Sequence, residues 1–249
     1  MHRYAFIISF SLLLIAWELV TRFGGWSPQV FPGPLPVFRS MGELIANGTL
    51  LDHSVASLYR VTVGFYLAAG LGIPLGILLG RFEGFRYIMD PLIQFLRPIS
   101  PLAWIPLAML WFGIGDQPAV FLIFLSSFFP LVVGTAISVR TIPEVYFQVA
   151  ANFCFSRREV VSKIIVPAIV PDVVTSLRLT ISIAWLVVVA AEMIAVQSGL
   201  GYLILDSRNA LRMDYVMVGM IVIGIIGVLL DWVMVRMGRI ESASWGKHH

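Results

Sequence analysis

The stretch Thr141–Pro171, TIPEVYFQVAANFCFSRREVVSKIIVPAIVP, is the longest segment of the chain that is both polar and patterned as helix. With Arg140 just before it, the stretch carries four of the seventeen Lys and Arg residues, and apolar runs flank it on both sides. A loop of this organisation between two strongly apolar segments indicates a surface that is built to contact something else.

The composition places the chain in a membrane. Hydrophobic residues make up 59% of the sequence and charged residues 12%, with a mean hydropathy of +0.90. Soluble domains contain about half apolar and roughly a quarter charged residues. The only cysteine, Cys154, excludes an intramolecular disulfide and a cysteine-based zinc site. A pI of about 9.2 fits the Lys and Arg enrichment of cytoplasmic loops and does not indicate nucleic-acid binding.

Six segments have the length and apolar character to cross a bilayer, which takes roughly 20 residues. The first of them follows His2 and Arg3, as a signal peptide would, but no small-residue cleavage site comes after it. An uncleaved span is therefore favoured, and the fold class predicted is an all-α membrane protein with six transmembrane helices. The six segments are Tyr4–Val20, Val61–Gly80, Pro98–Gly115, Gln117–Val139, Leu179–Val196 and Tyr215–Val235.

The loop charges predict the orientation. With both termini inside, the cytoplasmic side holds Arg3, Arg81, Arg86, Arg140, Arg157, Arg158, Lys163, Arg178, Arg236, Arg239 and Lys247. The outside then holds only Arg22, Arg39, Arg60, Arg208 and Arg212, while Arg97 is ambiguous, so the bias is positive-inside. The predicted organisation is a first helix at 1–23, an external loop with an interfacial helix at 24–57, a five-helix core at 58–239 containing the cytoplasmic loop 140–171, and a tail at 240–249.

The third predicted span contains several prolines, which cannot be accommodated in a straight lipid-facing helix. The run Arg97–Trp104 is either the wall of a water-filled passage or a kinked helix packed in the bundle, and the sequence leaves both readings open. Candidates to line or gate a passage are Ser100, Pro101, Trp104, Ser126, Ser127, Trp185 and Glu192.

The acidic residue Glu192 is predicted near the outer end of its span. Acids within spans are functional hypotheses by default, so Glu192 is expected to hold an outer gate or loop through Arg208 or Arg212. A hydrated residue at the interface is the alternative. Arg178, lower in the same helix, is expected to extend towards the cytoplasmic side, and Asp231 and Arg236 to form the structural end of the last span.

Two capping boxes divide the opening stretch. Thr141 with Glu144, and Ser156 with Glu159, predict two helices separated by a turn at 154–156. Pro167 and Pro171 are expected to interrupt the second helix before the next span begins. The apolar stripe of the second helix, formed by Val160, Val161, Ile164 and Ile165, is predicted either to lie on the bilayer surface or to enter a partner's groove.

In this setting the stretch resembles the cytoplasmic loop of binding-protein-dependent ABC importer permeases, in which Glu-Ala-Ala, three residues, Gly and nine residues precede Ile-x-Leu-Pro. Ile164–Pro167 fits the closing motif, which puts Cys154 at the glycine and Gln148–Ala150 at Glu-Ala-Ala. Other segments resemble the branch of the family that imports nitrate, taurine, alkanesulfonates and bicarbonate. These are Leu51–His53, Ser57–Arg60, Leu107–Gly115, Phe128–Pro130, Ser176–Arg178, Ala184–Trp185, Ala190–Met193 and Gly199–Gly201.

The resemblance implies a type I, MetI-like permease subunit in the bacterial inner membrane, paired with a second permease copy. Two ATP-binding cassette subunits would bind the cytoplasmic loops, and an extracytoplasmic substrate-binding protein would deliver a small anion. The chain has no phosphate-binding Gly-x-x-x-x-Gly-Lys-Ser/Thr loop, so it is expected to bind no cofactor, and ATP and Mg would belong to the ATPase. Coupling to the ATPase would fall to Gln148, Ala150, Cys154, Phe155, Ser156, Arg157, Arg158 and Pro167.

Two other classes of function are open to a chain of this composition. A membrane enzyme is not indicated, since neither His-Glu-x-x-His nor Gly-x-Ser-x-Gly occurs, no metal site is expected and no histidine falls inside a predicted span. A stand-alone channel or secondary transporter remains the alternative, although its repeated halves with matching broken helices are not evident.

Overall fold

The computed structural model describes residues 2–27 and 29–245, with side chains described at 8–9, 11–27 and 29–236. Those ranges form helices joined by loops and contain no β-strand, so the predicted all-α fold is confirmed. The helices are α1 (His2–Phe23), α2 (Pro34–Ala46), α3 (Thr49–Arg81), α4 (Glu83–Leu96), a 3-10 turn (Pro101–Trp104), α5 (Ile105–Phe112), α6 (Asp116–Arg140), α7 (Glu144–Asn152), α8 (Arg157–Val160), a π-helical segment (Val161–Ile165), α9 (Val166–Ala195), α10 (Leu200–Asn209) and α11 (Met213–Trp245).

Four of the described helices are long and apolar enough to cross a membrane by themselves: Thr49–Arg81, Asp116–Arg140, Arg157–Ala195 and Met213–Arg236. The pair Glu83–Leu96 and Pro101–Phe112 adds a fifth crossing if it is counted as one span. α1, with 22 residues, is about 33 Å long and coincides with the first predicted span; the sixth crossing stays a prediction.

The third span differs from its prediction. It does not begin at Pro98 but at Glu83, and its two halves meet at an angle of 85° around the break at 97–100. Pro98 and Pro101 explain the break, because each lacks a backbone donor and its ring excludes the preceding turn of helix. The run Pro98–Gly115 is therefore not a single straight helix.

α3 and α6 form the centre of the bundle, and glycines on α3 set their separation. A Cβ atom added at Gly76 would lie 2.6 Å from the Thr135 Cβ, and one added at Gly64 would lie 2.7 Å from the Ile123 Cγ2. Only glycine lets the two backbones approach this closely. These glycines of α3 therefore set how closely it packs against α6.

The capping prediction at Thr141 is wrong. α7 begins after Pro143, and the Thr141 hydroxyl donates to the Ser138 carbonyl at 2.8 Å. Proline at 143 disfavours helical backbone at Ile142, so a helix cannot start at Thr141. The prediction that Pro167 and Pro171 interrupt the second helix is also wrong, since one helix runs from Arg157 to Ala195. The π-helical segment Val161–Ile165 lies directly before Pro167 and adjusts the backbone hydrogen bonds where this proline has no N–H to donate.

Two ends of the bundle are distinguished below. The loop end carries α7 and α8 together with the last turns of α3 and α6. The clamp end carries the first turns of α3 and α6, the last turn of α9, and α10.

Candidate functional site

The loop end has the bent two-helix shape that the sequence predicts. α7 closes with the Phe155 N–H donating to the Ala150 carbonyl at 2.9 Å and the Cys154 N–H to the Ala151 carbonyl at 3.0 Å. Cys154 takes a left-handed conformation with φ 54°, at the position where glycine is the usual residue. This pair of bonds is a Schellman motif, and it reverses the chain into α8.

α8 starts at the second predicted capping box, which is confirmed. The Ser156 hydroxyl accepts from the Glu159 N–H at 3.4 Å, and the Glu159 carboxylate accepts from the Ser156 N–H at 2.9 Å. Glu159 also accepts from Lys163 at 2.9 Å, and the Lys163 ammonium lies 5.0 Å from the centre of the Phe155 ring. The turn at 154–156 is therefore held by the Schellman motif at the end of α7 and by the capping box at the start of α8.

The inner side of this loop is packed onto the bundle. Ala150 and Ile165 are buried, and Ile165 belongs to a cluster with Val139 and Ile169. The Arg81 guanidinium, in the last turn of α3, lies 4.7 Å from the centre of the Phe147 ring. The Ile165 end of the predicted stripe therefore faces the protein, although the stripe had been assigned to the bilayer or to a partner.

The outward side of α7 carries an apolar ridge instead. Its members are spaced three or four residues apart, except for two neighbours at its start, so they lie along one face of the helix. Phe153 is the most prominent, with 72% of its surface exposed. Arg157 and Arg158 are exposed beside it, as are Gln148 and Cys154. The ridge consists of Val145, Tyr146, Val149 and Phe153.

The clamp end contains a buried charge network that we call the clamp. Arg60 of α3 is 1% exposed, and its Nε donates to the Asp116 carboxylate at 2.7 Å. Its Nη1 donates to Glu192 at 2.6 Å and to the Ser198 carbonyl at 2.9 Å, while Nη2 donates to the Ser198 hydroxyl. One guanidinium thus joins α3, α6, α9 and the loop before α10.

Glu192, which is fully buried, is the acceptor at the centre of the clamp. Its second carboxylate oxygen accepts from the Ser57 hydroxyl and from the Gly201 N–H, each at 2.9 Å. Ser57 accepts in turn from the Leu200 N–H at 2.9 Å. The carboxylate therefore satisfies donors at the start of α10 that have no partner within that helix.

Gly199 allows this close approach. Its φ is 102°, and a Cβ atom there would lie 2.3 Å from the Glu192 carboxyl carbon and 2.5 Å from Arg60 Nη1. Its N–H donates to His53 Nδ1 at 2.9 Å. A side chain at position 199 would displace the clamp, so glycine is needed for both space and conformation.

The predicted partners of Glu192 were wrong, and so was the alternative of a hydrated residue. Arg212 pairs with Asp214 at 2.7 Å, and Arg208 contacts Asn209 at 3.3 Å. The actual partner, Arg60, lies 132 positions away in sequence. It escaped prediction because the second span was expected to start at Val61, whereas α3 begins at Thr49 and carries Arg60 on its buried side.

The other passage candidates lie in several places. Ser126 donates to the Ile123 carbonyl at 2.8 Å, while the Ser127 hydroxyl is buried without a hydrogen-bond partner in the described part of the chain. Trp185 is buried, and its Nε1 donates to the Ile223 carbonyl of α11 at 3.0 Å. Ser100 is exposed at the break of the third span, with Pro101 and Trp104 partly buried beside it.

Metal binding finds no support in the described residues, where no group of three His, Cys, Asp or Glu side chains is placed to hold an ion.

The two candidate functional sites are a shaped surface at the loop end and a charge network at the clamp end. Continuous helices, α6 and Arg157–Ala195, connect them.

This arrangement of helices recurs in a solved membrane transporter. The structure matches a chain of the MetNI methionine ABC transporter, solved in inward-facing conformations, with a TM-score of 0.66 at 17% identity. The match covers 81% of this chain and 98% of that one. At this identity the likeness establishes the fold, and the predicted MetI-like fold is confirmed.

Sequence comparison then establishes the family. The chain belongs to the binding-protein-dependent transport system inner membrane components, whose family profile matches residues 72–240. The aliphatic sulfonates transport permease SsuC of Bacillus subtilis is 36% identical over 89% of this chain and 80% of its own. The nitrate import permease NrtB of Synechocystis is 35% identical, covering 90% and 84%. The bicarbonate transport system permease CmpB of Synechococcus elongatus is 36% identical, covering 88% and 82%. The family resemblance read from the sequence is confirmed.

Proposed function

We propose that this chain is the membrane pathway of an ATP-driven importer for a small oxyanion, coupled to separate ATPase subunits through the loop end. Family membership supports the transport role. The substrate class rests on relatives named for sulfonates, nitrate and bicarbonate, which share a single negative charge spread over oxygen atoms. ATP and Mg would be bound by the ATPase, and an external binding protein would supply the anion.

The loop end faces the cytoplasm in this proposal. The positive-inside bias supports that orientation, since Arg81, Arg140, Arg157, Arg158 and Lys163 gather at this end. Both termini would then be cytoplasmic. A second copy of the chain would complete the pathway, as the pairing of permease subunits in this family implies.

The observation that carries the coupling proposal is the ridge. An exposed row of apolar side chains on a helix that is rigidly attached to two spanning helices is suited to a partner's groove. The flanking Arg157 and Arg158 favour an acidic rim on that groove, because opposite charges steer and orient association. Closure of the ATPases would move α7 and α8, and α6 and α9 would transmit the motion.

The test replaces Phe153 with Asp in a tagged chain expressed with its ATPase. Placing a carboxylate in the centre of an apolar contact should abolish co-purification of the ATPase and ATP-dependent uptake. Leu211→Asp is the control for co-purification, because Leu211 is equally exposed but lies at the clamp end. Phe155→Asp and Arg158→Asp test the neighbouring positions.

Retention of the ATPase by the Phe153→Asp variant would remove the ridge from the interface. A wild-type chain that conducts anions in liposomes without ATPase or ATP would instead favour the stand-alone channel. The anion itself is identified by measuring uptake of taurine, methanesulfonate, nitrate and bicarbonate in parallel.

A further inference from the structure

Arg97 occupies an unusual position in the broken third span. It is the C-cap residue directly after α4, at the start of the irregular stretch that turns the chain by 85°. Its side chain is exposed, and no hydrogen bond, ion pair or ring contact joins its guanidinium to any residue that the structure describes. The charge is therefore available to a group from outside this chain.

The neighbours of the break place Arg97 within the thickness of the membrane. One turn before it, Ile93 packs against Val132 of α6, roughly 12 Å from the loop end of that helix. After the break, Ile105 packs against Leu122, roughly 9 Å from the other end of α6. Arg97 lies on the segment that joins these two levels.

Two other arginines within the bundle are paired with acids. Arg60 is held by the clamp, and Arg178 donates to both oxygens of Asp231, at 2.7 and 3.1 Å. An unpaired guanidinium facing lipid is strongly unfavourable at this depth, and irregular backbone is tolerated there only inside protein or beside water. The exposed side of the break is therefore suited to a wet passage and not to lipid.

We propose that Arg97 is a contact for the transported anion inside the pathway, with the exposed Ser100 hydroxyl three residues on as a second donor. A guanidinium presents parallel N–H groups that match two oxygens of a sulfonate, nitrate or bicarbonate. An arginine with no internal acid retains its full attraction for such an anion. This assignment rests on the proposed import of small oxyanions.

The first experiment measures ATP-driven uptake by the intact transporter carrying Arg97→Gln or Arg97→Lys. Arg97→Gln should lower uptake about tenfold or more, as expected for loss of a charged hydrogen bond, while Arg97→Lys should keep part of it. ATPase co-purification should be unchanged in both. Arg22→Gln is the matched control, since that exposed arginine lies on α1 and pairs only with Glu18. Wild-type uptake by Arg97→Gln would overturn the assignment.

The second experiment needs no transport activity and stands even if Arg97→Gln assembles poorly. Cys154→Gly removes the only native cysteine, and Arg97→Cys or Val228→Cys is added to that background. An anionic, membrane-impermeant methanethiosulfonate should modify Arg97→Cys, and excess substrate anion should slow the reaction. Val228, exposed on the sparsely covered α11, should resist it as a lipid-facing control.

Reaction at Arg97→Cys no faster than at Val228→Cys would show that the break faces lipid, and would overturn the inference while leaving the importer proposal intact. A wild-type complex that accumulates none of the four anions would defeat the importer proposal instead. The two failures are therefore separate observations.

Discussion

At the scale of single residues, Arg60 explains why an acid can be kept in the interior of this membrane protein. Glu192 has no exposed surface, and a carboxylate in such a place needs a cation and further donors. It receives both, from Arg60, Ser57 and the Gly201 N–H. Within the clamp, the charges of Arg60 and Glu192 depend on each other. Removing one of them leaves the other buried and unpaired, which is expected to destabilise the protein.

Arg60→Met should therefore lower the free energy of unfolding by about 3–5 kcal/mol, because it leaves a buried carboxylate without its cation. Glu192→Leu should cost a similar amount, and the double variant less than the sum of the two. Thermal unfolding in detergent measures all three. Asp231→Asn serves as the comparison, since the Arg178–Asp231 pair is about half exposed and its loss should be smaller. Additive losses in the double variant would show that the two residues act independently.

Cys154 gives a second prediction at this scale. Its φ of 54° is costly for a residue with a side chain, and a β-branched residue tolerates it least. Cys154→Gly should leave the melting temperature unchanged or raise it slightly, whereas Cys154→Val should lower it and loosen the turn. Equal melting temperatures for the two variants would mean that the Schellman turn is not fixed at this residue.

The sequence predicted some of these residues but not their partners. The capping boxes predicted the turn that contains Cys154, and the resemblance to the family motif placed Cys154 at a glycine position. Glu192 was singled out because acids are rare in apolar spans. Its pairing with Arg60 depends on how α3 rotates against α9, and no local pattern records that. Asp116 was missed for the same reason, since it lies just before the predicted span Gln117–Val139.

At the scale of elements, the α3–α6 pair depends on backbone contact. Gly76→Ala should destabilise the protein by roughly 1–3 kcal/mol, because a Cβ there would meet both the Thr135 side chain and the Val132 carbonyl. Gly70→Ala is a matched control in the same helix, where nothing lies within 4 Å, and the better helix former should be neutral or stabilising. Thermal unfolding compares the two. A harmless Gly76→Ala would show that the helices can separate without cost.

The starts of two helices, α3 and α7, differ from those predicted from the sequence. α3 is longer than the apolar run that revealed it, because its first turns, Thr49–Arg60, are polar and face the clamp and α10. The start of α7 moved to Glu144 because Pro143 overrides the cap at Thr141. The ridge was recoverable in principle, since Val145, Val149 and Phe153 follow the helical period.

At the scale of the whole molecule, α6 and the helix that continues into α9 extend from the loop end to the clamp end, where both contact the Arg60 guanidinium. α6 runs from Asp116 to Arg140, and the continuous helix from Arg157 ends at Ala195 beside Glu192 and Ser198. The all-α membrane fold and the family followed from the composition and the order of motifs. The convergence on Arg60 did not, because it is a property of the assembled bundle. In the proposed coupling, movement of α6 relative to α9 at the loop end would strain the clamp. The clamp would then oppose the conformational change.

Asp116→Asn tests whether the clamp opposes the movement of these helices. Asp116 is 54% exposed, so its bond to Arg60 is the weakest ionic contact of the clamp and its loss should cost only about 1 kcal/mol. Folding should survive, but a conformational equilibrium opposed by the clamp would shift by about fivefold. In the transporter reconstituted with its ATPase, hydrolysis without binding protein should rise by up to that factor, since less work is needed to separate α6 from α3. Asp231→Asn, which removes an ionic contact outside the clamp, should leave this rate at the wild-type value. An unchanged rate in Asp116→Asn would mean that the clamp holds the fold together without opposing the transport cycle.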